Sequence, residues 1–264
     1  MAALIRAGYR NYLDIIVKNY DPRSDDLFLM SNIWQAIFVL MLYLYFVFIL
    51  GPKIMKNRPP YKLVGIMRAY NLLQVILNCL LFTQAVKMGW IWKYKWICEP
   101  IDYSHDPVAL TAVKSCWYYC MLKMFDFMDT VFIVLRKKDQ QISFLHVYHH
   151  GGIFFGSWII TKYYPGGHAT FIGFLNTIVH AIMYAYYFIT VTWPEHKITW
   201  MKKSLTQLQM LQFFLIAIHA AVALILRENC KYSKFVASMC LIENFLMLLL
   251  FSDFYRKAYK KKQV

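Results

Sequence analysis

Long apolar stretches alternate with short polar segments along most of this chain. Six or seven of these stretches reach the roughly 20 residues that an α-helix needs to cross a bilayer core. Segments that contain Pro or Gly, such as GPKIMKNRPP and YYPGGH, separate several of them. The pattern predicts an all-α integral membrane protein with seven transmembrane helices, over residues 31–50, 63–86, 108–134, 142–161, 168–191, 204–226 and 234–254.

The distribution of Lys and Arg between the predicted loops indicates the orientation. The loops at 52–62, 135–141 and 192–203, together with the C-terminal tail, carry more Lys and Arg than the loops on the other side. Cytosolic loops are enriched in these residues, so we predict a lumenal N-terminus and a cytosolic C-terminus. The predicted organisation is a lumenal segment (1–30), a membrane domain (31–254) and a basic cytosolic tail (255–264).

Composition agrees with a single membrane domain, because 59% of the 264 residues are hydrophobic and only 16% are charged. Soluble proteins carry about 25% charged residues. The net charge of +15 is dispersed over the loops, which argues against a nucleic-acid partner. Two of the six cysteines, Cys98 and Cys230, lie in different loops on the predicted lumenal side. An oxidising lumen would allow them to form a disulfide, which we state as a hypothesis.

Polar side chains recur at helical spacing in four consecutive predicted spans. At 1.5 Å per residue, each of the four groups has members that lie roughly 8–16 Å from the predicted cytosolic ends. Polar groups in a bilayer usually face a bundle interior or a cavity, so we predict a polar chamber that opens toward the cytosol. A lone His or Gln would be explained as a link between neighbouring helices, and Lys123 with Asp126 or Asp129 as a structural ion pair. The groups are Lys123, Asp126 and Asp129; His146, His149 and His150; Asn176 and His180; and Thr206, Gln209 and Gln212.

Histidines clustered in a membrane suggest two kinds of chemistry. A di-iron site, as in membrane desaturases and hydroxylases, would use imidazole ligands. Such a site needs several His-rich boxes, whereas His105, His168 and His196 fall in predicted loops. The alternative is metal-free catalysis, with a neutral imidazole as base or nucleophile, an orienting carboxylate, and amide donors to an oxyanion. We favour the metal-free interpretation and predict no cofactor.

A transporter is a second class of function that these polar groups allow. Asp and His side chains in a membrane also form proton relays, as in proton-coupled transporters. The third to sixth spans lack the paired Gly or Pro interruptions that are common in broken-helix transporters. Formation of a chemical product would separate an enzyme from a transporter.

Four motifs, HVYHH (146–150), KMFDFMDT (123–130), NTIVHAIMYAYY (176–187) and TQLQMLQ (206–212), resemble those of the elongation of very long chain fatty acids family. Their order and spacing match, and the similarity covers essentially the whole chain. One position departs, because the family usually has Glu where this chain has Asp126. The resemblance implies seven spans, six of which form an inverted barrel around a narrow acyl-chain tunnel.

This resemblance also implies a function, the condensing step of fatty-acid elongation in the endoplasmic reticulum. A long-chain acyl-CoA and malonyl-CoA would give a 3-oxoacyl-CoA two carbons longer, with release of CO2 and CoA. The implied partners are the lipid bilayer and the reductase, dehydratase and enoyl reductase of the elongation cycle. A homo-oligomer is a further possibility. The C-terminal KKQV resembles a dilysine retrieval signal, although positive-inside bias alone would also explain it.

Family motifs assign roles to individual residues. His149 matches the middle histidine of the family box and is our candidate nucleophile, which would hold the acyl group as an acyl-imidazole. A Cys120 nucleophile is the alternative. The further catalytic candidates are His180, His146, His150, Asp129 and Asp126, with the two carboxylates supporting the box histidines. The substrate-binding candidates are Lys123, Asn176, Tyr184, Tyr187, Gln209, Gln212, Arg136, Lys137 and Lys203, the last three as partners for CoA phosphates.

Overall fold

A computed structural model describes residues 20–195, 198–226 and 230–260, and it is helical throughout its regular secondary structure. The N-terminal residues 1–19, His196 and the KKQV motif lie outside the described residues. Short 3-10 turns occur at Pro22–Ser24, Asp139–Gln141 and Gly167–Ala169. The longer helices are α1 (Ile33–Met55), α2 (Val64–Trp90), α3 (Pro107–Phe125), α4 (Phe127–Leu135), α5 (Phe144–Tyr163), α6 (Thr170–Thr192), α7 (Thr199–Ile225) and α8 (Lys234–Tyr255).

Five helical stretches within the described ranges are long and apolar enough to cross a membrane, where the sequence predicted seven spans. They establish an all-α protein of the multi-pass membrane type. The helices outside this set, α3 with α4 and α5, carry the charged and histidine side chains of the sequence motifs. The five stretches are Ile33–Met55, Val64–Trp90, Gly167–Thr192, Trp200–Ile225 and Lys234–Tyr259.

Two predicted boundaries differ from the structure. The stretch 108–134 is two helices, because the chain bends at Asp126 between α3 and α4. The backbone N–H of Asp126 still bonds to Leu122 O (2.9 Å), and its carbonyl accepts from Asp129 N (3.1 Å). The bend therefore falls at a residue whose side chain is a functional candidate. At the other end, helical structure continues from α8 through Arg256–Lys260, beyond the predicted end of the last span at residue 254.

Helix packing places α3 and α5 at the centre of one side of the bundle. α1 covers them through an apolar cluster that includes Tyr43, Val47, Phe154 and Trp158. Gly51 allows α1 to approach α4 closely, since a Cβ there would lie 2.7 Å from Val134 Cγ1. α2 packs mainly against α6, and α7 packs against α8. The helices α2, α3 and α5 to α8 thus enclose the space described below.

A disulfide ties the loops at one end of the bundle. Cys98 and Cys230, the two cysteines of the hypothesis, are bonded to each other across 132 residues of sequence. Close backbone contact accompanies the bond, since His168 N donates to Glu99 O (2.8 Å). Gly167 lies beside that loop with a φ of +58°, and a Cβ there would be 2.8 Å from the carbonyl oxygen of Glu99. We refer to this region as the disulfide end.

We expect the substitution Cys98→Ala to lower the melting temperature of the purified protein in detergent. The bond closes a long loop in the unfolded chain, for which the chain-entropy estimate is about 4–5 kcal/mol. A decrease of roughly 5 °C or more should follow, and reductant should shift the wild type in the same direction. The exposed free cysteine Cys79 gives the control, because Cys79→Ala should melt with the wild type. Identical melting of oxidised and reduced protein would contradict the prediction.

Candidate active site

A cavity of about 620 Å³ runs through the interior of the bundle. Residues from α2, α3, α5, α6, α7 and α8 line it, and no described residue of α1 or α4 does. Along α5 the lining residues extend from His149 to Thr161, which corresponds to about 18 Å of helix. Ala169, Phe235 and Cys240 line it near the disulfide end. Its wall is mostly apolar, so the cavity has the character of a site for a long hydrocarbon chain.

His149 is the box histidine that faces this cavity. Its ring packs against Phe213 (centroid distance 6.0 Å) and Phe251 (6.4 Å). Within the part of the chain that the structure describes, no hydrogen bond holds the imidazole. Asn176 and Gln212 line the same cavity and carry amide groups. The imidazole is therefore oriented by aromatic packing and keeps its ring nitrogens available for a ligand.

The other two box histidines are held differently. The N-terminus of α5 is capped by Ser143, whose Oγ accepts from His146 N (3.2 Å). His146 Nε2 lies 2.8 Å from Thr130 Oγ1, and that hydroxyl lies 3.0 Å from Tyr43 OH. The His150 ring is buried with its centroid 4.4 Å from that of His146, and its Nδ1 has no hydrogen-bond partner among the described residues. Each histidine of the box thus has its own environment.

A buried ion pair lies at the bend between α3 and α4. Lys123 Nζ donates to Asp126 Oδ2 (2.9 Å), and both side chains are about 1–2% exposed. Lys123 Nζ is also 3.3 Å from His180 Nδ1 on α6, which itself lies 3.8 Å from Asp126 Oδ2. This arrangement places a cation beside an imidazole at a dry position, where such contacts are strong. We call Lys123, Asp126 and His180 the buried triad.

Hydrogen bonds from two more helices hold the second oxygen of Asp126. Gln74 Nε2 on α2 donates to Asp126 Oδ1 (2.7 Å), and Tyr184 OH on α6 lies 3.3 Å from the same atom. Tyr184 OH also donates to Asp129 Oδ2 (2.7 Å). We expected Asp126 and Asp129 to support the box histidines. Among the described residues, their side-chain hydrogen bonds run to Lys123, Gln74 and Tyr184, and the supporting role toward the histidines stays a prediction.

Sequence analysis missed the contribution of α2. Tyr70, Asn71, Gln74 and Asn78 are all buried. Gln74 Nε2 lies 2.9 Å from Tyr70 OH, and Asn78 Nδ2 donates to Gln74 Oε1 (3.2 Å). The spacing from Asn71 to Gln74 to Asn78 follows one helix face, so the signal was present in the second predicted span. These residues carry no charge, so their pattern in an apolar span is a weaker signal than that of the charged and histidine side chains in the four motifs.

Several predicted binding residues lie outside the buried triad. Asn176 Oδ1 accepts from Tyr119 OH (3.0 Å) at the cavity wall, and Gln209 Nε2 points to Met183 Sδ (3.5 Å). Tyr187 is 39% exposed. The remaining candidates are at helix ends and make no contact with the triad: Arg136 after α4, Lys137 beside Lys56 O, and the exposed Lys203 in α7.

A cysteine nucleophile and a metal site were the alternatives to a histidine nucleophile. Cys120 is fully buried in the apolar cluster between α1, α3 and α5 and does not line the cavity, whereas Cys116 does. Across residues 20–195, 198–226 and 230–260, no three His, Cys, Asp or Glu side chains are grouped as a metal-ion site.

Comparison with known proteins identifies one family along nearly the whole chain. Residues 28–264 match the ELO family, described as the GNS1/SUR4 family. The chain is 40% identical to very long chain fatty acid elongase 7 of Drosophila melanogaster over 96% of its own length and 77% of the relative. It is 38% identical to elongase 7 of Rattus norvegicus, over 96% and 90% of the two chains. Identity to elongase 1 of Homo sapiens is 36%, over 95% and 90%.

The substitution Gln74→Leu should destabilise the protein by about 1–3 kcal/mol, because Asp126 loses a hydrogen bond that water cannot replace. Gln74→Glu should have a larger effect, since a second carboxylate would face Asp126. Thermal unfolding in detergent measures both. Gln207, whose exposed amide donates to Tyr255 OH (3.2 Å), provides the control. If Gln74→Leu and Gln207→Leu melted alike, the role given to Gln74 would be wrong.

Proposed function

This chain belongs to the ELO (GNS1/SUR4) family, and from that premise we propose that it is a condensing enzyme of very-long-chain fatty-acid elongation. It would join a long-chain acyl-CoA to malonyl-CoA and release a 3-oxoacyl-CoA two carbons longer, CO2 and CoA. This activity is that of an acyltransferase, a very-long-chain 3-oxoacyl-CoA synthase. The observation that carries the proposal is His149, an imidazole without a hydrogen-bond partner among the described residues, in the wall of a long apolar cavity.

In the first half-reaction, a ring nitrogen of His149 attacks the thioester carbonyl carbon. The bond to sulfur breaks, the imidazole proton leaves with the CoA thiolate, and the acyl group remains as an acyl-imidazole. The acyl chain lies in the cavity while this occurs. Gln212 and Asn176, which line the cavity together with His149, supply amide groups for the carbonyl oxygen. Aromatic packing against Phe213 and Phe251 holds the ring in the attacking orientation.

Malonyl-CoA binds in the second half-reaction and loses CO2 to leave an enolate. The enolate carbon attacks the acyl carbon, the bond to the imidazole breaks, and His149 takes up a proton. Negative charge develops on the thioester oxygen during decarboxylation. The Lys123 ammonium beside His180 provides a positive environment for that charge, and the paired Asp126 fixes the ammonium in place.

Seven transmembrane helices are the architecture that we propose for this activity. α3 with α4 and α5 would cross the membrane in addition to the five apolar stretches, in a membrane domain over 31–254. Six helical units would surround the acyl chain as an inverted barrel, which the cavity lining supports. The N-terminus would be lumenal and the C-terminus cytosolic, so that Arg136, Lys137 and Lys203 meet the CoA phosphates at the cytosolic surface.

The proposed location is the endoplasmic reticulum membrane, with the KKQV motif as a retrieval signal. No metal or organic cofactor is needed for the reaction as written. The 3-oxo product requires a reductase, a dehydratase and an enoyl reductase to complete one cycle, and we propose that the chain associates with them. The disulfide end would face the oxidising lumen.

Purified protein in detergent should convert octadecanoyl-CoA and labelled malonyl-CoA to 3-oxoeicosanoyl-CoA. His149→Ala should reduce the rate at least about 100-fold, because the nucleophile is lost. Mass spectrometry of the extracted thioesters measures the product. His105→Ala is the control, since His105 is exposed in a loop. Normal turnover in His149→Ala would remove this residue from the mechanism, and product in neither protein would remove the proposed activity.

Asp126→Asn should reduce turnover at least about tenfold, because Lys123 loses its carboxylate and the cation beside His180 is no longer fixed. Removing one member of a buried ion pair also destabilises a protein by about 3–5 kcal/mol. Rates are therefore normalised to the folded fraction, measured by size-exclusion chromatography. Asp126→Glu keeps the carboxylate and restores the usual family residue, so it should retain more activity than Asp126→Asn. Equal normalised activity of all three proteins would contradict the role of the triad.

A further inference from the structure

One carboxylate in the cavity has no part in the mechanism above. Glu243 is the only charged residue between Lys234 and Asp253 in the sequence of α8, and it lies roughly 14 Å or more from either end of that helix. It lines the same cavity as His149. An ionisable side chain in the middle of a membrane helix has a high free-energy cost of burial and usually has a function.

Tyr148 orients this carboxylate from the neighbouring helix. Its hydroxyl on α5 donates to Glu243 Oε2 (2.7 Å), and its ring stacks on Phe144 (centroid distance 5.5 Å). The other oxygen, Oε1, lies beside Gly152, 3.5 Å from the position that a Cβ there would occupy. That distance is an ordinary van der Waals contact, so Oε1 faces the backbone of α5 at Gly152. Gly152 follows His149 by about 4–5 Å along α5, toward the disulfide end.

No cationic side chain of the described residues balances Glu243. No Lys, Arg or His in the described ranges forms an ion pair with its carboxylate. A buried acceptor lies in the same cavity, since Gln212 Oε1 has no hydrogen-bond partner in the part of the chain described, whereas Glu243 is half-buried and uses only Oε2 in its bond from Tyr148. Unsatisfied acceptors at such positions are costly unless a donor reaches them.

Three hydroxyl groups of the cavity wall already have backbone partners and do not supply that donor. Ser157 Oγ donates to Phe154 O (2.8 Å), Thr161 Oγ1 to Ser157 O (2.8 Å), and Thr177 Oγ1 to Gly173 O (2.7 Å). Each of these hydroxyls is committed to a carbonyl of its own helix. None of these three hydroxyls is therefore available to Glu243, and an unsubstituted hydrocarbon chain offers no donor either.

We propose that Glu243, oriented by Tyr148, is a specificity-determining residue that accepts a hydrogen bond from a hydroxyl group on the acyl chain. The proposal rests on the proposed function and names a substrate class for it, hydroxyacyl-CoA with the hydroxyl a few carbons from the thioester. A hydroxyl is neutral and small, so it enters an apolar cavity at lower cost than an ammonium group. A carbon–carbon double bond has no donor and would not satisfy Oε1.

A competition assay tests this proposal. The wild type receives labelled malonyl-CoA and equal amounts of octadecanoyl-CoA and one hydroxyoctadecanoyl-CoA, with the hydroxyl near the carboxyl end, in mid-chain or at the methyl end. We expect the isomer hydroxylated near the carboxyl end to be elongated in preference to the other two. Glu243→Met, which keeps the volume and removes the acceptor, should reduce that preference roughly tenfold, as for the loss of one hydrogen bond to a charged group.

Two further variants separate hydrogen bonding from folding. Glu243→Gln retains an acceptor and should keep part of the preference, and Tyr148→Phe should lower it by releasing the carboxylate. Thr111→Val gives the control, because Thr111 does not line the cavity and its hydroxyl already donates to Pro107 O, so the preference should be unchanged. Should Glu243→Met fail to fold, Glu243→Gln and Tyr148→Phe give the answer.

The outcomes distinguish this proposal from the function on which it rests. If octadecanoyl-CoA is elongated while wild type and Glu243→Met show the same ratio for every isomer, the role of Glu243 is overturned and the condensing activity stands. If no acyl-CoA is elongated, the condensing activity fails instead. Thermal-shift titration with the same acyl-CoAs then decides the binding claim, which requires stronger stabilisation of the wild type than of Glu243→Met by the hydroxylated chain.

Discussion

The buried pair of Lys123 and Asp126 is the constraint on which the rest of this structure depends. A charge taken out of water is costly unless it is paired and its remaining bonding capacity is used. Asp126 meets that condition with donors from three helices: Lys123 on α3, Gln74 on α2 and Tyr184 on α6. A shift of any one helix by one turn would leave a buried charge unsatisfied. The pair therefore fixes the register of α2, α3 and α6 as well as the position of the ammonium beside His180.

That fixed register also divides the interior into two chemical regions. On one side lies the dry polar network of the triad with Gln74 and Tyr184. On the other lies the apolar cavity, with His149 in its wall. Under the proposed function, the acyl chain would lie in the second region and the charged parts of the reaction would lie beside the first. His149, which among the described residues is held only by aromatic packing, is the candidate that would receive the acyl group.

The sequence indicated the candidate residues of this site more readily than the hydrogen bonds and ion pairs between them. Charged and histidine side chains in apolar spans stand out, so Lys123, His149 and His180 were identified, and their helical spacing placed them at one depth. The bend at Asp126 was not predicted, because apolar periodicity continues on both sides of it. Gln74 and Glu243 were also missed. A neutral amide and a single carboxylate in an apolar span become informative only when the neighbouring helix shows what faces them.

The central claim is that His149 carries the acyl group as a covalent intermediate, and isotope exchange tests it most directly. Purified protein is incubated with octadecanoyl-CoA and labelled free CoA, without malonyl-CoA. A reversible acyl-imidazole predicts that label enters octadecanoyl-CoA in the wild type and in His105→Ala but not in His149→Ala. A wild type that forms the 3-oxo product with malonyl-CoA and yet shows no exchange without it would contradict the claim. Both thioesters would then have to be bound together before the acyl group moves.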